Sequence, residues 1–166
     1  RAVVRSKGVH VAHAVNGGGG HDSGAGQVPP LVVIAGATAT GKSALAIETA
    51  RRFGGEVINA DALQFYRGMD VGTAKVTPSE RRGVPHHLLD ILDVTEEASV
   101  ATFQADARRI ASEIRERGKI PVVVGGSGLY VRAFTDVMAF PPSDPAVREE
   151  IESHVRAIGT GAAHAQ

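Results

Sequence analysis

The run Gly36-Ala37-Thr38-Ala39-Thr40-Gly41-Lys42-Ser43 has the residue types and spacing of a loop that wraps an oxyanion. Glycines let the backbone curl until several N–H groups point at one centre, and a helix starting at the end of the run adds partial positive charge there. Lys42 would neutralise phosphate charge, and Ser43 offers a hydroxyl to Mg²⁺. The pattern specifies a handle for phosphate without specifying the molecule. The end of a nucleotide triphosphate and the diphosphate of another compound both satisfy it.

Three other places carry reactive side chains. Asp61 follows the apolar run Val57-Ile58 and could serve as a general base or a Mg²⁺ partner, although a turn-forming aspartate looks the same. Ser127, within Gly125-Gly126-Ser127-Gly128, has a hydroxyl and neighbouring N–H groups for a second oxyanion contact, or simply marks a tight strand-to-helix turn. His86-His87 do not read as a metal site, because adjacent side chains diverge and no third ligand is close in sequence. His10, His13 and His21 lack carboxylate or thiolate companions and are set aside for the same reason.

The elements that must position these groups follow from periodicity. Leu31-Val32-Val33-Ile34-Ala35 is a short β-branched run between prolines and a glycine, as expected of a strand buried on both faces. Ser43 to Phe53 predicts a helix with apolar positions Leu45, Ala46 and Ile47, ended by Gly54-Gly55 after Arg51-Arg52. Glu56 to Asn59 predicts a second strand, so Ala60 to Gln64 should emerge at the carboxyl edge of the sheet, where open α/β sheets place ligands. Tyr66 to Pro85 is broken by Gly68, Gly72, Pro78 and Gly83 and reads as loop. Val100, Phe103, Ala107, Ile110 and Ile114 recur at spacings of three and four, predicting a helix capped by Ser99 and stopped by Gly118. Ile120 to Val124 predicts a third buried strand, with a helix from near Leu129. Strands alternating with helices predict an α/β fold, a parallel sheet flanked by helices of the P-loop NTPase kind.

The totals agree with one such domain over residues 30–166. The chain has 166 residues, 43% hydrophobic and 22% charged, which suits a single core. Eighteen basic residues balance eighteen acidic ones, so charge alone does not point to nucleic acid, and any RNA contact must use local patches. Absence of cysteine excludes disulfides and thiolate chemistry and fits a reducing compartment, with the cytoplasm as the expected location. No apolar run approaches the roughly 20 residues of a membrane span, so no membrane association is expected. Residues 1–29, with Gly17-Gly18-Gly19-Gly20, are expected to be a disordered leader.

From residue 31 to about 150 the chain resembles the tRNA dimethylallyltransferase family. The strings that carry the resemblance are Gly36 to Ser43, the long run Asn59 to Lys75 (NADALQFYRGMDVGTAK), Pro85-His86-His87-Leu88-Leu89-Asp90, and Val124-Gly125-Gly126-Ser127-Gly128-Leu129-Tyr130. Phe140 to Pro145 also resembles the family's stretch before its second half. The resemblance implies transfer of a dimethylallyl group from dimethylallyl diphosphate to N6 of the adenosine 3′-adjacent to the tRNA anticodon. It implies that Thr38 to Ser43 grip the leaving diphosphate with Lys42 and Mg²⁺, and that Asp61 accepts the hydrogen bond or proton of the attacking amine. Gln64 would help hold the flipped base, with Ala62 and Leu63 beside it on the tRNA side, and Ser127 would approach the bridging oxygen.

Two departures are mild: Ala62 stands where many members have serine, and Ser127 where threonine is common. A larger one is length. The family's later tRNA-gripping helices and a further diphosphate-binding arginine would lie beyond Gln166, so residues 30–166 are expected to be an incomplete core, working as a monomer. Three rivals stay in view. A P-loop small-molecule kinase should carry a nucleotide-base pocket and an arginine-rich lid. An adenylate isopentenyltransferase would use a free nucleotide as acceptor, and an inactive binding fragment would do no chemistry.

Overall fold

A computed structural model describes residues 2–6, 9–14, 29–140 and 144–164. Its strands are β1 (Ala2–Ser6), β2 (Val9–Ala14), β3 (Leu31–Gly36), β4 (Gly55–Asn59), β5 (His86–His87) and β6 (Ile120–Gly125). Its helices are α1 (Lys42–Phe53), α2 (Val100–Glu116), α3 (Gly128–Thr135), α4 (Pro145–Ile158) and α5 (Thr160–His164), with a 3₁₀ turn at Ala62–Phe65. Strand order is β1-β2-β3-β6-β4-β5. β3, β6, β4 and β5 run parallel, and the β1–β2 hairpin adds antiparallel to β3.

Alternation along the buried strands splits the core into two layers, as a side-chain period of two requires. Val33, Ile58 and Val123 face α2 and α3, where Phe103, Ala107, Ile110, Ile114, Tyr130 and Phe134 close over them. Ile34, Val57, Val122 and Val124 face α1, against Ala46, Ile47 and Ala50. Phe65, Phe103 and Tyr130 form a ring cluster with centroids 5.0 to 5.8 Å apart, which seats the 3₁₀ turn after β4 on the helical layer.

Most boundaries match the expectations. Ser99 caps α2 by accepting from Thr102 N, Gly118 sits at φ 72° just past its end, and Gly54 closes α1 in the left-handed conformation. Leu45 corrects the expected α1 face: it is 40% exposed, and Ala50 takes the buried position instead, one turn after Ala46. The leader also differs from expectation. Ala2–Ser6 and Val9–Ala14 are strands, because their valines suit a pleated ribbon and β3 offers them an open edge. The glycine run and the side chains of His10, His13 and His21 lie outside the described residues. Among the described residues no helix is long and apolar enough to cross a membrane.

β5 is two residues long, and each of its histidines is bonded structurally. His86 Nδ1 lies 2.8 Å from Val84 O, and burial of the ring lowers its pKa. His87 Nε2 meets Glu56 Oε2 at 2.7 Å. Glu56 is 4% exposed at the start of β4 and also receives Arg117 and Lys119, each at 2.9 Å. Burial pushes its carboxyl up, but the hydrogen bonds from Lys119, His87 and Arg117 outweigh that and hold it at about 2 against an ordinary 4.5. A depressed folded-state pKa stabilises the fold above the ordinary carboxylate range, and the contribution is lost as pH falls from about 4.5 toward 2. Its full size is on the order of 3 kcal/mol. Thermal melts across this acid range should show Glu56→Gln with a lower midpoint near neutrality and a flatter acid limb than the parent. Parallel acid limbs would remove Glu56 from that role.

Candidate active site

The site lies at the carboxyl ends of three neighbouring strands. β6 is central, β3 leads into the loop Gly36 to Ser43 on one side, and β4 leads to Asp61 on the other. Ala35 is level with Gly125 and Asn59 with Val124, so the phosphate loop and Asp61 flank the end of β6. The close approach of the end of β6 to Ala60 requires glycine at residue 125. A Cβ there would lie 2.5 Å from Ala60 O and 2.8 Å from Ala60 Cβ, inside any tolerable contact.

The loop has the conformation its composition anticipates. Gly41 adopts φ 81°, ψ 15° as the residue before α1, a left-handed conformation that favours glycine. No side chain caps this helix, so its first N–H groups face the loop. Thr40 Oγ1 donates to Ala37 O at 2.8 Å, and the Lys42 ammonium also donates to Ala37 O. A Cβ on Gly126 would be 3.8 Å from Lys42 Nζ, so the ammonium sits between the loop after β3 and the turn after β6. Ser43 is half-buried in the first turn of α1.

Across β6, Asp61 caps the 3₁₀ turn, its Oδ1 accepting from Leu63 N at 3.1 Å, while Oδ2 makes no hydrogen bond among the described residues. Gln64 Nε2 donates to Thr73 O at 2.9 Å, holding the following loop. Thr38 to Ser43, Asp61 and Gln64 all line a single cleft of about 730 Å³. Ser127 is not among its lining residues, although Gly125 and Gly126 are. It stands half-buried at the start of α3 without using its hydroxyl to cap the helix. Ala62 packs on the core beside Phe65, and Leu63 is 53% exposed; neither lines the cleft.

Sequence reasoning missed the residues that hold this wall in place. Lys75 lines the cleft, yet its side chain is 3% exposed, and its ammonium donates to Tyr66 O at 2.7 Å, Asp70 at 2.8 Å and Asp90 at 2.6 Å. Burial disfavours the charge, but the two carboxylates more than compensate and raise its pKa. An ammonium has three donors, and all are taken, so Lys75 is a tie for the loop and not a phosphate ligand. Two of its partners are in the same loop, but Asp90 lies fifteen residues on, and only the fold brings it to Lys75. Asn59 reads in the sequence only as the end of a strand, yet it lines the cleft.

Comparison with known proteins places the chain among its relatives. The IPP transferase family model matches residues 64–166. The tRNA dimethylallyltransferase of Pseudarthrobacter chlorophenolicus is 59% identical over 138 residues, covering 83% of this chain and 46% of that protein. That of Kocuria rhizophila is 64% identical over 133 residues, covering 80% of this chain and 42% of its own length. Among solved structures, the full-length tRNA isopentenylpyrophosphate transferase of Bacillus halodurans superposes with a TM-score of 0.64 at 48% identity, covering 80% of this chain and 44% of that one. A eukaryotic dimethylallyltransferase acting on tRNA gives 0.64 at 35% identity, over 74% of this chain and 32% of that one. The chain thus spans a little under half the length of the curated relatives it matches. With the family match over residues 64–166 taking in more than half of its length, the chain belongs to the IPP transferase family.

Proposed function

We propose that the protein transfers the dimethylallyl group of dimethylallyl diphosphate to N6 of the adenosine immediately 3′ of a tRNA anticodon, giving N6-isopentenyladenosine. The observation that carries this reading is the convergence of the phosphate loop and the Asp61 carboxylate on one cleft. A phosphate loop alone serves many reactions, and a carboxylate facing it suits one in which an amine must lose a proton as a phosphorylated group departs. The names of the relatives point the same way.

The allylic C–O bond breaks with its electron pair leaving on the diphosphate, where Lys42 and the N–H groups of the loop stabilise the growing charge. The N6 lone pair forms the new C–N bond, and the amine's proton passes to Asp61 through the unengaged Oδ2. Gln64 would address the extruded base with its oxygen and its second amide hydrogen, since Thr73 O holds only one of the two. Ser127 does not cap α3 with its hydroxyl but lies outside the cleft lining, so it would reach the bridging oxygen only by turning toward the cleft from the turn after β6. Ser43 fits a Mg²⁺ ligand: its hydroxyl is a hard oxygen donor in the cleft wall. When bound, the cation would neutralise charge on the departing diphosphate. The reading places the enzyme in the cytoplasm as a monomer, with the anticodon stem-loop as its RNA partner; the cysteine-free composition supports the compartment.

The product of the full coding sequence should convert unmodified tRNA, incubated with dimethylallyl diphosphate, to a nucleoside identified as N6-isopentenyladenosine by mass spectrometry of digests. Modification of free AMP with none of tRNA would replace the reading with the adenylate-specific one.

A further inference from the structure

Asp61 has to present one carboxylate oxygen to an amine at a fixed place, yet it sits in a turn just past the end of a strand, where backbone freedom is greatest. What removes that freedom is Asn59, 3% exposed as the last residue of β4. Its Oδ1 accepts from Asp61 N at 3.1 Å, and its Nδ2 donates to Asp61 O at 3.0 Å and to Leu88 O at 2.9 Å. The side chain therefore clasps the peptide groups on both sides of Asp61. Only this orientation of the amide pairs each donor with an acceptor. Both Nδ2 hydrogens are used, so Asn59 has no donor left for a substrate although it lines the cleft.

The second anchor is long-range. Leu88 follows β5 and holds φ 58°, a left-handed conformation unusual for a leucine. Asp90, at φ 56°, donates its backbone N–H to Gln64 O at 3.2 Å. One clasp thus joins the ends of β4 and β5 and fixes the segment bearing both Asp61 and Gln64. Two non-glycine residues in left-handed conformations, bonded to the segment that carries Asp61 and Gln64, are the kind of feature that the surrounding structure must over-determine.

We infer that Asn59 is a positioning residue for prenyl transfer, acting through Asp61. The inference rests on the function proposed above. It assigns Asn59 to alignment of the attacking amine and not to binding of either substrate. Loss of alignment lowers the rate of the chemical step while leaving substrate binding intact.

The test uses the protein of the full coding sequence. Wild type is assayed first: absence of prenyl transfer would overturn the functional reading itself, before Asn59 is questioned. With wild type active, Asn59→Asp keeps the shape but turns two donors into acceptors facing carbonyls, and Asn59→Ser keeps one acceptor and loses the reach to Leu88. Glu56→Gln, at the opposite end of β4, serves as a variant that lowers stability away from the cleft. Asn59→Ser is expected to lose roughly 100-fold in kcat, with KM for dimethylallyl diphosphate and for tRNA within about threefold of wild type. Glu56→Gln should keep its kcat even where its melting temperature falls as far. A kcat within about threefold of wild type in Asn59→Ser, or a rise in KM with kcat unchanged, overturns the inference. Should Asn59→Asp fail to fold, the serine variant decides alone.

Discussion

Asp61→Ala is expected to lower kcat for prenyl transfer by roughly 10²- to 10⁴-fold, the usual contribution of a positioned general base, while tRNA binding stays within about threefold of wild type. The structure gives the reason for the asymmetry. Asp61 contributes one carboxylate to a cleft wall, with Oδ1 spent on Leu63 N and Oδ2 unengaged among the described residues. An RNA loop bound across a wide surface would barely register the loss of one such group, whereas the amine would lose its proton acceptor. Filter binding of unmodified tRNA and single-turnover rates with saturating dimethylallyl diphosphate separate the two effects. Near-normal turnover in the variant would remove Asp61 from catalysis and leave it as the cap of the 3₁₀ turn.

Lys42→Ala should act first on the donor. A hydrogen bond to a charged group contributes about 1.5 to 3 kcal/mol, so affinity for dimethylallyl diphosphate should fall by roughly ten- to a hundredfold. Charge on the leaving diphosphate grows toward the transition state, so kcat should fall as well, by roughly the 10²- to 10³-fold seen when an oxyanion donor is removed. The fold should survive. Lys42 makes its hydrogen bond within the loop to Ala37 O, and the core under α1 is built from Ala46, Ile47 and Ala50. Calorimetric titration with dimethylallyl diphosphate and circular dichroism check both halves. Unchanged donor affinity in a folded variant would count against the clamp.

What could be read from the sequence was local. β3, the phosphate loop and α1 are contiguous, so periodicity and glycine placement define all three, and the three-and-four spacing from Val100 to Ile114 defines α2 within a residue or two. The parts that escaped depend on distant partners. β5 is two histidines whose strand character comes from pairing with Val57 and Ile58, and nothing in their own neighbourhood announces it. Lys75 looks like one more loop lysine until Asp70, Asp90 and Tyr66 O surround it. α4 begins with a signal legible in the sequence, since Asp144 accepts from Ala146 N and Pro145 occupies the first turn, a common way for a helix to start. Its Val147 and Ile151 remain half-exposed, so the helix has no buried apolar face to mark it. For the site, residue types and the shared sheet edge of the loop, Asp61 and Gln64 were legible, whereas which side chains face the cleft was not. Asp61 and Gln64 join the loop in one cleft, whereas Ser127 stands outside the lining despite its equally suggestive glycines.

The central claim is that the loop from Gly36 to Ser43 holds the diphosphate of an alkyl donor and that the electrons released there are matched by a new bond to an adenosine amine. Measuring inorganic diphosphate released against modified adenosine formed, in one reaction of the full coding product with dimethylallyl diphosphate and tRNA, tests it most directly. The account predicts equal amounts of the two products at every time point, with no dependence on added ATP. Release of diphosphate without alkylated adenosine, or transfer of a phosphoryl group from ATP in its place, would contradict it.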